Sequence, residues 1–174
     1  HQQMPVLRIV LAAVLGALLH YVAVVHLGGV LAAIGIPRAY FAFFGRERTE
    51  LALALLNLVV WALPVFVAVF LGALVALRAL HGTLRSSAWA LALGMLVAFV
   101  YWQLSLVVLV PSESSSMLSF GQAFISTLFS PWWVAPNVVA PWVGLALAVV
   151  LASTRFQGSA PREANPSIER TSKS

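Results

Sequence analysis

Four apolar runs, each long enough to cross a bilayer, take up most of the 174 residues and leave few folds open to this chain. They extend from Ile9 to Leu27, Leu51 to Leu77, Ala88 to Val110 and Trp132 to Ala152. A hydrocarbon core of about 30 Å takes about 20 helical residues, and each run approaches or exceeds that length. Transmembrane strands would be shorter and would alternate in polarity. These runs are apolar on every face, so helices that satisfy their own backbone groups are expected. A soluble domain that is 61% hydrophobic and 9% charged would have too little polar surface to cover itself. The expected fold is therefore all-α: an integral membrane antiparallel four-helix bundle over residues 1–154, with two short interfacial helices on the outer side. Residues 155–174 are expected to form a disordered cytoplasmic tail, because Gly, Ser, Pro, Arg and Glu bury too little apolar area to fold.

The first run exceeds the apolar core of a signal peptide, roughly 7 to 15 residues, and no Ala-x-Ala site follows it in a polar stretch. It is expected to be retained as a span. Orientation follows from the arginines. Arg8, Arg78, Arg85, Arg155 and Arg162 flank one side, whereas the connection from Pro111 to Ser130 has no basic residue. Both termini are expected in the cytoplasm and the chain in a bacterial inner membrane, with Arg38, Arg46 and Arg48 of the first connection running against that pattern.

The first connection, Gly28 to Glu50, opens on a Gly-Gly break and carries Tyr40, Phe41, Phe43 and Phe44 beside charges. That mixture suits the headgroup boundary, and a short interfacial helix is expected from near Pro37. In the third connection Met117, Phe120, Phe124 and Leu128 recur at helical spacing after a capping run, Ser114 to Ser116. A second helix, Met117 to Phe129, is expected to lie flat on the outer surface.

The last residues, Ala164-Asn-Pro-Ser-Ile-Glu-Arg-Thr-Ser-Lys-Ser174, resemble the tail that ends many integron gene-cassette products, the match centring on Asn165 to Thr171. The resemblance covers about a dozen positions and implies a bacterial, mobile gene. It implies nothing about fold or activity, and the transmembrane core carries no family motif.

Cysteine is absent, which excludes disulfides, thiolate metal sites and a cysteine nucleophile. The net charge of +5 sits at helix ends, where anionic headgroups explain it, and nothing clusters as a nucleic-acid patch would. No Gly-x-Ser-x-Gly elbow or other catalytic constellation is present, so no catalytic residue, metal or cofactor is expected. Polar side chains at depth are then the place to look. His20, Asn57, Tyr101, Gln103 and Asn137 all fall roughly 17 to 24 Å from the cytoplasmic ends of their helices. His26 lies six positions from His20 and on another face, whereas metal ligands on one helix sit three or four apart.

Two readings of that layer compete. Side chains of this kind hydrogen-bond between helices for about 1 kcal/mol each, which is a structural role. Alternatively His20, Asn57 and Gln103 converge on a polar cavity for water, an ion or a small ligand. The expected function is non-enzymatic binding of a partner helix, a lipid or a small molecule through the layer; the alternative is a small oligomeric transporter or channel using it. The bilayer is an expected partner, with a homo-oligomer or a partner membrane protein as the further one. A proton-coupled exporter of the small multidrug-resistance type would carry a glutamate in the first helix, and this one has only His20 and His26. Small residues four apart, such as Ala12 and Gly16, Ala90 and Gly94, or Gly144 and Ala148, mark close helix packing. Pro64 and Pro141 are expected to disturb the second and fourth helices.

Overall fold

The computed structural model describes residues 3–33, 38–80, 84–109, 120–129 and 132–157. These residues are almost entirely helical and contain no strand. In chain order the helices are α1 (Val6–Leu31), the short α2 (Arg38–Phe44), α3 (Arg46–Ala79), α4 (Leu84–Val108), the short α5 (Phe120–Phe129) and α6 (Trp132–Thr154). α1, α3, α4 and α6 are each long and apolar enough to cross a membrane. Their outer faces carry large apolar side chains, among them Leu7, Val75, Trp89, Leu93 and Val97, that the chain does not cover. A multi-pass membrane protein is the setting that this surface requires.

Lipid tails are as apolar as leucine, so helices in a membrane gain little from hiding apolar surface and associate through close contact instead. The small residues supply that contact here. α1 packs along α4 and α3 along α6. At the α1–α4 seam the backbone of Gly16 lies on the Leu91 carbonyl and that of Gly94 on the Ala13 carbonyl; a Cβ at either glycine would overlap the facing backbone. Ala12, Ala90 and Met95 are buried beside this crossing. Gly144 meets the backbone of Phe66 and Phe70 in the same way, with Val69, Ala73 and Ala148 sealed around it. The continuous core, including Ala76, Leu77, Leu80 and Ala152, thus gathers toward the end of the molecule that carries Arg8, Arg78 and Arg85.

The opposite end departs from regular helix in two places. In α1 the residues Tyr21–Leu27 form a π-helical stretch, with the Gly28 N–H donating to the Ala23 carbonyl five residues back. In α3 the residues Asn57–Ala62 do the same, with the Leu63 N–H donating to the Leu58 carbonyl. Pro64 follows immediately, so the widened turn falls where proline removes a helical donor. Gly28 and Gly29, expected from sequence to break the helix, instead continue it through Ala33. The reason is tertiary: the indole of Trp61 lies against Gly28, where any side chain would collide with it.

α2 is tied to α3 by the Tyr40 hydroxyl, which donates to the Ala52 carbonyl at 2.7 Å, and the turn between them is made by Gly45 at φ 73°, where glycine is favoured. Pro37, Ser114 to Ser116, Met117, Glu113, His81, Pro131 and residues 158–174 of the expected tail lie outside the described residues.

Candidate ligand cavity

The four long helices leave a cavity of about 160 Å³ between them. His20 and Val24 of α1, Trp61 of α3, Phe99, Trp102, Gln103 and Leu106 of α4, and Val134, Asn137, Val138 and Pro141 of α6 form its wall. It lies at the level of both π-helical stretches, and it is bounded by four aromatic rings, counting the imidazole.

His20 is the most constrained polar group on this wall. It is 1% exposed, and its ring meets Phe99 edge to face with centroids 5.9 Å apart. Phe99 in turn stands edge to face against Trp142 at 5.9 Å, so the orientation of the imidazole is set by packing. Neither ring nitrogen of His20 has a hydrogen-bond partner in the protein, and neither does the buried Nε1 of Trp61. Neutral histidine has one N–H and one lone pair, and the tryptophan has an N–H, so two donors and an acceptor are unmet in residues of the wall; all three atoms are buried, and Trp61 Nε1 lies against Gly28. An unmet group of this kind costs roughly 1 to 3 kcal/mol when buried.

Asn57 and Asn137 behave differently. Asn57 Nδ2 donates to Asn137 Oδ1 at 2.8 Å, and Asn137 Nδ2 donates back to Asn57 Oδ1 at 2.7 Å. Asn57 Nδ2 also donates to the Trp133 carbonyl at 2.8 Å. The reciprocal amide pair clamps α3 to α6, with Asn137 on the cavity wall and Asn57 one hydrogen bond behind it. Pro141, fully buried, lacks the N–H that would bond the Asn137 carbonyl one turn earlier, so the clamp and the proline adjoin on one face.

Of the five residues singled out from sequence, the structure brings His20, Gln103 and Asn137 to one cavity and Asn57 to its back. Tyr101 is not part of it: the side chain is 72% exposed on the outside of α4. Two positions from Gln103 is about 200° around a helix, so the two cannot share a face. His26 also points away from His20, lying exposed with its ring 5.0 Å from that of Tyr21. Ser105 returns its hydroxyl to the Trp102 carbonyl at 2.7 Å.

Sequence reasoning missed Trp61, Phe99, Trp102 and Pro141. Aromatic residues in an apolar run look like ordinary lipid-facing or core positions; the one available signal was the indole N–H of Trp61, which in mid-membrane calls for an acceptor. Among the described residues no three His, Asp or Glu side chains gather as metal ligands would. No charged side chain lines the cavity. Glu50 is held at the rim of α3, accepting a hydrogen bond from the indole of Trp132 at 3.3 Å. Compared with known proteins, the chain matches no family model, no curated protein and no solved structure.

Proposed function

We propose that this is a bacterial inner-membrane protein that binds a small molecule or part of a lipid within the membrane, in the cavity at His20, and that it does so without catalysis. The observation that carries the reading is the set of three buried nitrogens, Nδ1 and Nε2 of His20 and Nε1 of Trp61, left without protein partners in two residues that line the cavity. Interhelical glue would pair such groups, as Asn57 and Asn137 are paired. The fold is an antiparallel four-helix bundle in this reading. Contacts support it: Gly28 meets Trp61 while Gly72 meets Leu19, so residue numbers run in opposite senses along α1 and α3. Along α1 and α4 they rise together, from Gly16 with Leu91 to His20 with Phe99. The arginine pattern supports both termini in the cytoplasm, with α2 and α5 as interfacial helices on the outer side and the cavity in the outer half of the bilayer. The integron-like tail supports a bacterial, mobile gene.

Transport through the monomer is the weaker alternative, because the arginine end is filled by Ala12, Leu91, Met95, Val69 and Ala73, and Ser87, the only buried polar side chain described there, is too little to line a continuous path. The test of binding is the molecule that accompanies the protein. Protein purified in mild detergent should carry a compound, detectable by mass spectrometry of its organic extract, that falls at least tenfold in the His20→Phe variant. Identical extracts from both proteins would refute the binding role. Topology is tested separately by labelling Ser159→Cys and Ser115→Cys in intact cells: an impermeant maleimide should reach the second and not the first.

A further inference from the structure

Resting on the binding role just proposed, we propose that the occupant of the cavity is hydrocarbon: the acyl chain of a membrane lipid, entering from the bilayer between α4 and α6. The polar groups of the wall argue for it by being out of reach. Nδ1 and Nε2 of His20 and Nε1 of Trp61 are buried, and the last lies against Gly28. The side-chain amide of Asn137 is taken up by Asn57, and Gln103 already has an interaction within the protein. The surface left for an occupant is therefore mostly carbon. Water needs about two to four polar partners to settle in a cavity, whereas an apolar cavity stays dry and takes apolar guests. The volume of about 160 Å³ is close to the roughly 150 Å³ that admits benzene, which leaves room for about six carbons.

Position decides the source. α4 and α6 supply eight of the eleven wall residues, and α1 and α3 supply the other three, His20, Val24 and Trp61. Because α4 lies mainly along α1 and α6 mainly along α3, α4 and α6 meet each other only lightly. Phe99 against Trp142 closes their seam toward the arginine end. Beyond that contact Leu106, Val134 and Val138 of the wall are half-buried, whereas Gln103, Asn137 and Pro141 are buried. Half-buried apolar residues in front of buried ones make a mouth with depth behind it. Both helices are long enough to cross the membrane and carry uncovered apolar side chains such as Val108 and Val139, so lipid adjoins the mouth. No charged side chain lines the space, which suits a lipid's chain and not its headgroup. In the His20→Phe variant a six-membered ring reaches further into the space than imidazole does, so that variant displaces the occupant by filling.

The experiment uses the full chain in phosphatidylcholine vesicles doped with a phosphatidylcholine that carries a diazirine midway along one acyl chain, with adducts mapped by mass spectrometry after irradiation. Adducts are expected on the lipid-facing Val97 and Leu147, and also on Gln103, Asn137 or Pro141, which only an occupant of the cavity reaches. Val138→Trp and Leu106→Trp, each filling the cavity from its mouth, should cut the buried adducts at least tenfold and leave those at Val97 and Leu147 unchanged. The second variant guards against misfolding of the first, and Tyr101→Phe, outside the cavity, should label as the unaltered protein does. Buried positions labelled by free phenyl(trifluoromethyl)diazirine and not by the lipid make the occupant a free apolar molecule and overturn the acyl chain. Cyclohexanol displacing the label at least tenfold better than cyclohexane, at equal content in the bilayer, overturns the hydrocarbon. Either result leaves the binding role standing. Buried positions labelled by neither probe also overturn the hydrocarbon, and if the purified protein carries no compound dependent on His20, the binding role falls with it.

Discussion

The two ends of the helix assembly solve the same problem by opposite means. Toward the arginine end, backbones touch through Gly16, Gly94 and Gly144, alanines fill the seams, and Ser87 is the only buried polar side chain among the described residues there. Toward the other end the helices carry His20, Trp61, Trp102 and Asn137, adopt π-helical turns, and enclose a cavity instead of a seam. Close packing by small residues maximises dispersion contacts and rigidity. Bulky aromatic side chains and widened turns give up some of that contact and leave room beside buried polar groups. The contrast shows that the cavity is not loosely packed core: the rings around His20 are fixed by edge-to-face contacts, and polar groups that could pair do so immediately behind it.

The comparison breaks most visibly at the glycine seam. Gly94→Leu must drive a branched side chain into the Ala13 carbonyl, where backbone cannot yield as a side chain could. A loss of about 3 kcal/mol or failure to accumulate is expected, read as thermal stability in detergent. A Gly94→Leu protein as stable as the original would mean that α1 and α4 do not cross there.

Smaller effects belong to the amide clamp. Asn57→Leu strands the Asn137 amide and should cost about 1 to 2 kcal/mol, whereas the Asn57→Leu/Asn137→Leu double variant should recover most of it. A double-mutant cycle that yields no coupling would remove the clamp from the account.

At the cavity the expectation reverses. His20→Phe exchanges two unpartnered nitrogens for carbon in a ring of similar size, so stability should hold within about 0.6 kcal/mol or rise, although ligand is lost. A large destabilisation would instead make the imidazole a structural element. Tyr101→Phe should be the quietest change, within about 0.5 kcal/mol, because its hydroxyl lies on the outside of α4.

How much of this was legible beforehand differs by residue. His20, Asn57, Gln103 and Asn137 stood out because polarity at depth is costly wherever it occurs, and counting along helices put them at one level. That count could not separate Tyr101 from Gln103, since depth along a helix says nothing about which face looks inward. Gly28 was misjudged for a related reason: glycine beside glycine reads as a break unless it is known that Trp61 occupies the space a side chain would take. The helix Phe120–Phe129 was anticipated from its periodicity, and the short helix Arg38–Phe44 from its aromatic and charged composition.

The amino-acid sequence by itself determined that this chain makes four membrane-length helices, because a run of about 20 apolar residues has only one economical way to satisfy its backbone in lipid. It also determined where those helices approach closely, since glycine and alanine four apart leave a groove whatever the partner. Tertiary structure alone decided which helix fills each groove and which polar groups meet. Asn57 finds Asn137 eighty positions away while His20 finds none, an outcome set by helix rotation and by the widened turns at Tyr21–Leu27 and Asn57–Ala62. Those follow from contacts between distant segments, such as Trp61 on Gly28, that no local pattern encodes.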